Sequence, residues 1–254
     1  MSVLVQTADV AFLTRYRDDP DAPTLLSATR DLVVRAVLPG IALILVGLGA
    51  GALATGPLAA RVGEGAINQT LQQGRTPVLD ELARITSATG GVSGNIVICV
   101  FAVGLFLLVT RQWWMGLIPF VTLNLHTFVH LTTSTIVGRS RPPVEQLDIG
   151  QPTASFPSGH MGATTAQLLV LLFFGLSYVA GRVQRAVVAL LLAGYLVVLG
   201  WSRLYLGMHY ASDVTWGVAN GVACGVIGWL FLRRDAGDGP APTQTLARRA
   251  LLNE

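Results

Sequence analysis

The chain has 254 residues, of which 52% are hydrophobic and only 12% charged, against about 25% charged in soluble domains. With a mean hydropathy of +0.59, this composition excludes an ordinary water-soluble globular protein and points to a bilayer as solvent. All 17 basic residues are arginine, which excludes chemistry that needs a Schiff-base lysine, a P-loop lysine or a lysine base. The net charge of +3 does not signal nucleic acid, because the arginines stand mostly at the ends of apolar runs. No nucleic-acid partner is expected.

The first thirty residues carry Asp9, Arg15, Arg17, Asp18, Asp19 and Asp21 before any long apolar run. That is unlike a cleaved signal peptide and predicts a tail over 1–30 followed by a retained anchor. A membrane-crossing helix needs about 20 apolar residues. Six stretches come close: 34–55, 92–110, 113–137, 161–180, 186–206 and 211–232. The expected architecture is all-α, one six-span transmembrane bundle over 31–234 with a second tail over 235–254. Between the first two spans, 56–91 is too polar to cross, with Glu64, Asn68, Gln69, Gln72, Gln73, Asp80 and Glu81. Val78, Leu82 and Ile85 have helical spacing there, as in a short amphipathic helix lying on the membrane or capping a site; a connecting loop is the plainer alternative. The third span is interrupted by Pro119 and carries His126 and His130. Cys99 and Cys224 fall inside apolar stretches and read as packing residues. Beyond the last span, 235–243 (DAGDGPAPT) reads as a disordered linker and 244–253 as a short basic helix.

Six spans put both termini on one side. Eleven arginines fall on that side, and Arg61, Arg75, Arg84, Arg139, Arg141 and Arg203 on the other. The positive-inside rule therefore predicts cytoplasmic termini in a plasma (inner) membrane protein, with 56–91 facing outward. Trp113 and Trp114, just after Arg111, read as an interfacial aromatic belt.

Three polar clusters interrupt the apolar chain: 138–142 (GRSRP), 155–160 (SFPSGH) and 202–213 (SRLYLGMHYASD). In a six-span chain the loops that carry them share one face, which predicts a composite extracytoplasmic site. Arg141 and Arg203 offer planar forks for phosphate oxygens. Ser158, Gly159 and His160 precede an apolar helix, so free backbone N–H groups and a positive helix end are expected to face an oxyanion. His209 and Asp213 are four apart, which places them on one helix face if the sixth helix begins early enough. A carboxylate that fixes an imidazole tautomer leaves the other ring nitrogen the better nucleophile or base. By contrast, Arg111, Arg182 and Arg185 read as topology determinants.

These residues resemble a known family. Ser202-Arg203, His209 and Asp213, at this spacing, are similar to the third signature of the type 2 phosphatidic acid phosphatase superfamily, which includes vanadium haloperoxidases. The run 157–160 (PSGH) resembles the second, and Arg141-Pro142 the end of the first. The resemblance implies a metal-independent, cofactor-free, acid phosphatase-like hydrolase acting on a lipid phosphate in the bilayer. Phosphatidate, phosphatidylglycerol phosphate and polyprenyl diphosphate are the implied substrate types, and no protein partner is implied. It implies that His209 attacks phosphorus, that Asp213 orients it and that His160 protonates the leaving oxygen. Arg141, Arg203, Ser158, the Gly159 amide and, more weakly, Arg139 would hold the phosphoryl oxygens.

One position departs from the family pattern: where its first signature begins with lysine, this chain has Ser134. One charge-assisted hydrogen bond is worth about 1.5–3 kcal/mol, so its loss weakens a phosphate clamp without abolishing it. Arg139, or a protonated His130 one turn before Ser134, is a candidate replacement; buried packing is the plainer reading of His126 and His130. A lipid phosphotransferase using the same phosphohistidine, and a non-catalytic lipid-binding or transport protein, are the alternative functions.

Overall fold

The computed structural model describes residues 12–16, 22–56, 63–148, 153–179 and 181–232. The tail expected over 235–254, most of the N-terminal tail, the end of the predicted fourth span at Ala180, and Arg17, Arg61, Arg233, Arg234, Arg248 and Arg249 lie outside these residues. Among the described residues every long element is a helix. They are α1 (Leu25–Thr55), α2 (Gly65–Gln73), α3 (Pro77–Gly90), α4 (Val92–Thr110), α5 (Leu117–Val137), α6 (Gly159–Tyr178), α7 (Arg182–Tyr205) and α8 (Ala211–Leu230).

Local chemistry sets their ends. Thr24 opens α1 by accepting the Ser27 N–H at 3.2 Å, and a π-turn over Val33–Val37 joins its amphipathic first turns to the apolar run. The helix starts well before residue 34 because charged first turns, with Asp31 3.6 Å from Arg35, continue the same rod. Pro119 does not interrupt the third span: it falls in the first turn of α5, where the missing N–H leaves no acceptor unpaired. A 3-10 turn over Trp113–Gly116 leads into α5, and it splits the tryptophan pair. Trp113 is exposed, as a belt residue would be, whereas Trp114 is buried with its ring 5.6 Å from Tyr16.

Among its described residues the polar stretch 56–91 holds two helices rather than a bare loop. Thr76 caps α3 and Pro77 takes its first position. Val78, Leu82 and Ile85 are exposed on α3, while Ala83 packs with Tyr205 and Leu206 on the other side. The amphipathic helix read from the sequence is therefore α3, its inner face seated on the end of α7.

Five helices, Leu25–Thr55, Val92–Thr110, Trp113–Val137, Gly159–Tyr178 and Arg182–Tyr205, are long and apolar enough to cross a membrane. Leu45, Phe101, Leu190, Leu191 and Val197 are exposed on such helices, a surface suited to hydrocarbon rather than water. This is a membrane protein. The stretch expected as a sixth span folds as the 20-residue α8, which falls short of the same apolarity because it carries Asp213, Asn220 and a row of glycines. Those residues are buried in the bundle: α8 packs against α1, α5 and above all α6. Cys99 and Cys224 are both buried and unpaired.

The α6–α8 contact sets the geometry of everything above it. Gly217, Gly221 and Gly225 stand one turn apart on α8, and a Cβ at each would lie 2.7, 2.5 and 3.1 Å from the carbonyl oxygens of Ser158, Gly162 and Ala166. Backbones meet this closely only where side chains are absent. Gly221→Ala is therefore expected to cost about 1–3 kcal/mol through overpacking. Thermal unfolding in detergent checks this, with Gly194→Ala, which meets nothing within 4 Å, expected to be neutral or stabilising.

Candidate active site

The end of α5 launches the site. Gly138 adopts the left-handed conformation (φ 60°), with its N–H donated to the Ser134 carbonyl at 3.0 Å, and this stops the helix. The connection to α6 then joins the α7–α8 turn. Arg141 Nη1 donates to the Met208 carbonyl at 2.8 Å, Ser155 N–H to the Arg139 carbonyl at 2.8 Å and Ser158 N–H to the Asp213 carbonyl at 3.1 Å. The three polar clusters of the sequence meet at one end of the bundle.

His209 precedes α8, which begins only at Ala211, so His209 and Asp213 do not share one helix face. His209 Nδ1 lies 3.8 Å from Asp213 Oδ2 and donates instead to the Ser155 carbonyl at 2.7 Å. A carbonyl only accepts, so the ring proton sits on Nδ1 and Nε2 keeps its lone pair. Asp213 acts one step removed. It accepts from Ser155 Oγ at 2.5 Å, from Arg139 Nη1 at 2.5 Å and from the Tyr210 N–H at 2.8 Å. Its place in the first turn of α8 brings the carboxylate back to the N-cap. Burial pushes the His209 imidazole below its ordinary value; Asp213 opposes this, and the Arg203 and Arg141 charges add to it. The ring is then neutral at neutral pH, the state in which Nε2 can attack an electrophile.

A cavity of about 450 Å³ is lined by His209, His160, Arg141, Arg203, Gly159 and His130. Gly91 and Val92 at the start of α4 border it too, so two positive helix ends with free N–H groups converge there. The lining also includes Ile96, Leu123, Leu131 and Ala163. From His130 to Leu123 it follows α5 for about 10 Å, at 1.5 Å per residue. Helix α6 begins at Gly159, two residues earlier than a helix following His160, so Ser158 is its N-cap and His160 lies in its first turn.

Not every candidate reaches the cavity. Arg139 Nη2 pairs with Glu64 at 3.0 Å and Nη1 with Asp213, and its guanidinium carbon stands 4.1 Å over the Tyr210 ring. It anchors the Asp213 carboxylate and is absent from the cavity wall, which corrects its expected place beside the phosphoryl oxygens. Ser158 and Ser134 are buried off the same wall, and their hydroxyls make no hydrogen bond among the described residues.

Several contributing residues carried no signal in the sequence. Arg203 Nη1 donates to Asp148 Oδ2 at 2.7 Å and to the Ser87 hydroxyl, which itself donates to Asp148 at 2.8 Å. Asn68 on α2 donates to the carbonyls of Leu204 at 2.8 Å and His209 at 3.0 Å, pinning the turn that presents His209. Asn68 and Ser87 lie 141 and 116 residues from these partners, beyond any local pattern. Ser155 had a signal, since it opens the SFPSGH cluster, but its bridging role needed the fold.

The fold and cavity define an all-helical membrane protein with imidazoles and guanidinium groups gathered at one end of its bundle. Residues 115–236 match the model of the PAP2 superfamily. It is 27% identical over 150 residues to phosphatidylglycerophosphatase B of Bacillus subtilis (strain 168), covering 58% of this chain and 72% of that protein. Its fold is similar to the crystal structure of a transmembrane PAP2 type phosphatidylglycerolphosphate phosphatase from Bacillus subtilis. The TM-score is 0.65 at 22% identity, over 74% of this chain and 93% of the other.

Proposed function

We propose that this protein is a lipid phosphatase that removes a phosphoryl group from a membrane phospholipid monoester or a polyprenyl diphosphate. The observation that carries the reading is the composition of the cavity. His209, His160, Arg141 and Arg203 share it with Ile96, Leu123 and Leu131, so a charged headgroup and the start of an apolar chain fit one space. In the proposed reaction the His209 Nε2 lone pair forms an N–P bond as the P–O bond to the lipid breaks. His160 gives its proton to the departing oxygen. Water then attacks phosphorus, the N–P bond breaks, inorganic phosphate leaves, and His160 takes back a proton from the water. Arg141, Arg203 and the first-turn N–H groups of α6 hold the phosphoryl oxygens as charge builds.

The same reading includes α8 as a sixth span, with both termini cytoplasmic and the cavity at the outer face of the plasma membrane. Residues 31–234 then form the phosphatase domain, flanked by two cytoplasmic tails. Among substrates, phosphatidylglycerol phosphate is favoured by the named relatives. The test is phosphate release by purified protein from phosphatidylglycerol phosphate, phosphatidate and a polyprenyl diphosphate in mixed micelles. Release from at least one is expected. No release from any, or transfer to an added alcohol in place of release, overturns hydrolysis.

A further inference from the structure

The mechanism above leaves two cavity imidazoles without a role: His126, which rests against Gly162 one turn into α6, and His130 at its start. His130 lies on α5, one turn before Ser134, and shares the cavity wall with His160, His209, Arg141 and Arg203. Its ring rests against the first residue of α6: a Cβ on Gly159 would lie 2.7 Å from His130 Nε2 and 2.9 Å from Cε1. At that residue the backbone N–H groups have no intrahelical acceptor. His130 Nδ1 is enclosed without a partner, and among the described residues the ring makes no hydrogen bond. Its ring contact is a parallel one with His126, centroids 5.8 Å apart. A histidine kept to join two helices bonds across the interface. This one leaves its nitrogens unused and turns Nε2 toward the start of α6.

We propose that His130 is a further phosphate-binding residue, whose Nε2–H donates to the phosphoryl group received by Arg141, Arg203 and the α6 N-terminus. A neutral imidazole suffices, since the contact needs a donor and no net charge. The proposal rests on the phosphatase reading and identifies which group supports the clamp where Ser134 does not. Ser134 is off the cavity wall, and Arg139 is committed to Glu64 and Asp213.

The experiment compares wild type with His130→Leu and His130→Gln in one detergent. It reads kcat and KM for phosphate release, the inhibition constant of inorganic phosphate, and Tm. His130→Leu removes the donor at similar bulk, and is expected to weaken phosphate inhibition and lower kcat/KM by about 10- to 150-fold, the effect of one hydrogen bond to a charged group. His130→Gln places an amide N–H near the lost Nε2–H and is expected to recover most of both. Leucine and wild-type values within twofold overturn the proposal. So does equal impairment of both variants with a matching fall in Tm, the mark of a packing role. His209→Ala is run alongside: full activity there, or an inactive wild type, sinks the phosphatase reading instead. Thermal stabilisation by inorganic phosphate then still reads the His130 contact, and its equal size in wild type and His130→Leu overturns it.

Discussion

Replacing His209 with alanine is expected to lower phosphate release at least about 10³-fold, because no other group on the cavity wall combines a free lone pair with a fixed tautomer. The Ser155 carbonyl holds the proton on Nδ1 and burial keeps the ring neutral, so Nε2 carries a free lone pair at neutral pH, as the proposed attack on phosphorus requires. A rapid quench with labelled lipid phosphate is the direct measurement. Acid-labile, base-stable label on wild type, absent from the variant, is the expected pattern for phosphohistidine. Equal turnover in the two proteins would remove His209 from the chemistry, and label persisting in the variant would move the covalent step elsewhere.

Arg139→Met is expected to have the second large effect, and on a different quantity. Asp213 is wholly buried, and Arg139 is its cationic partner at 2.5 Å. Removing one member of a buried pair strands the other charge, at a cost of about 3–5 kcal/mol. The variant should therefore unfold at a markedly lower temperature, and its remaining folded fraction should show reduced kcat as the Asp213–Ser155–His209 chain loosens. Adding Asp213→Asn should recover part of the stability, since the stranded charge is then gone. A variant with unchanged Tm, normal kcat and raised KM would instead mean that Arg139 reaches the phosphate directly.

The two effects separate the residues proposed to meet substrate from those that hold them. Spacing alone does not distinguish the two groups. Arg139 and Arg141 are two residues apart in one polar cluster, yet their side chains part company after Gly138. Arg141 joins Met208 and the cavity, while Arg139 turns to Glu64 and Asp213. Likewise His209 and Asp213 look like a helical pair in the sequence. Because α8 starts only at Ala211, Ser155 comes to stand between their functions.

The apolar runs determined by themselves that the chain is helical and membrane-embedded, because about 20 apolar residues in hydrocarbon must satisfy their backbone hydrogen bonds internally. Their order also determined that the three polar clusters fall at span ends. The family resemblance resided in these clusters too, since the residue types and their spacing are local. Three things were decided only by the tertiary structure. Gly217, Gly221 and Gly225 became a contact surface only against the Ser158, Gly162 and Ala166 carbonyls of α6, and a glycine does not name its neighbour. Asn68, Ser87 and Asp148 became supports of His209 and Arg203 only through hydrogen bonds that span 55 to 141 residues. The serine at 134 stood out in the sequence as the departure. The fold turns attention to His130 one turn away, because the ring that faces α6 is set by helix packing, and packing is a property of the assembled bundle.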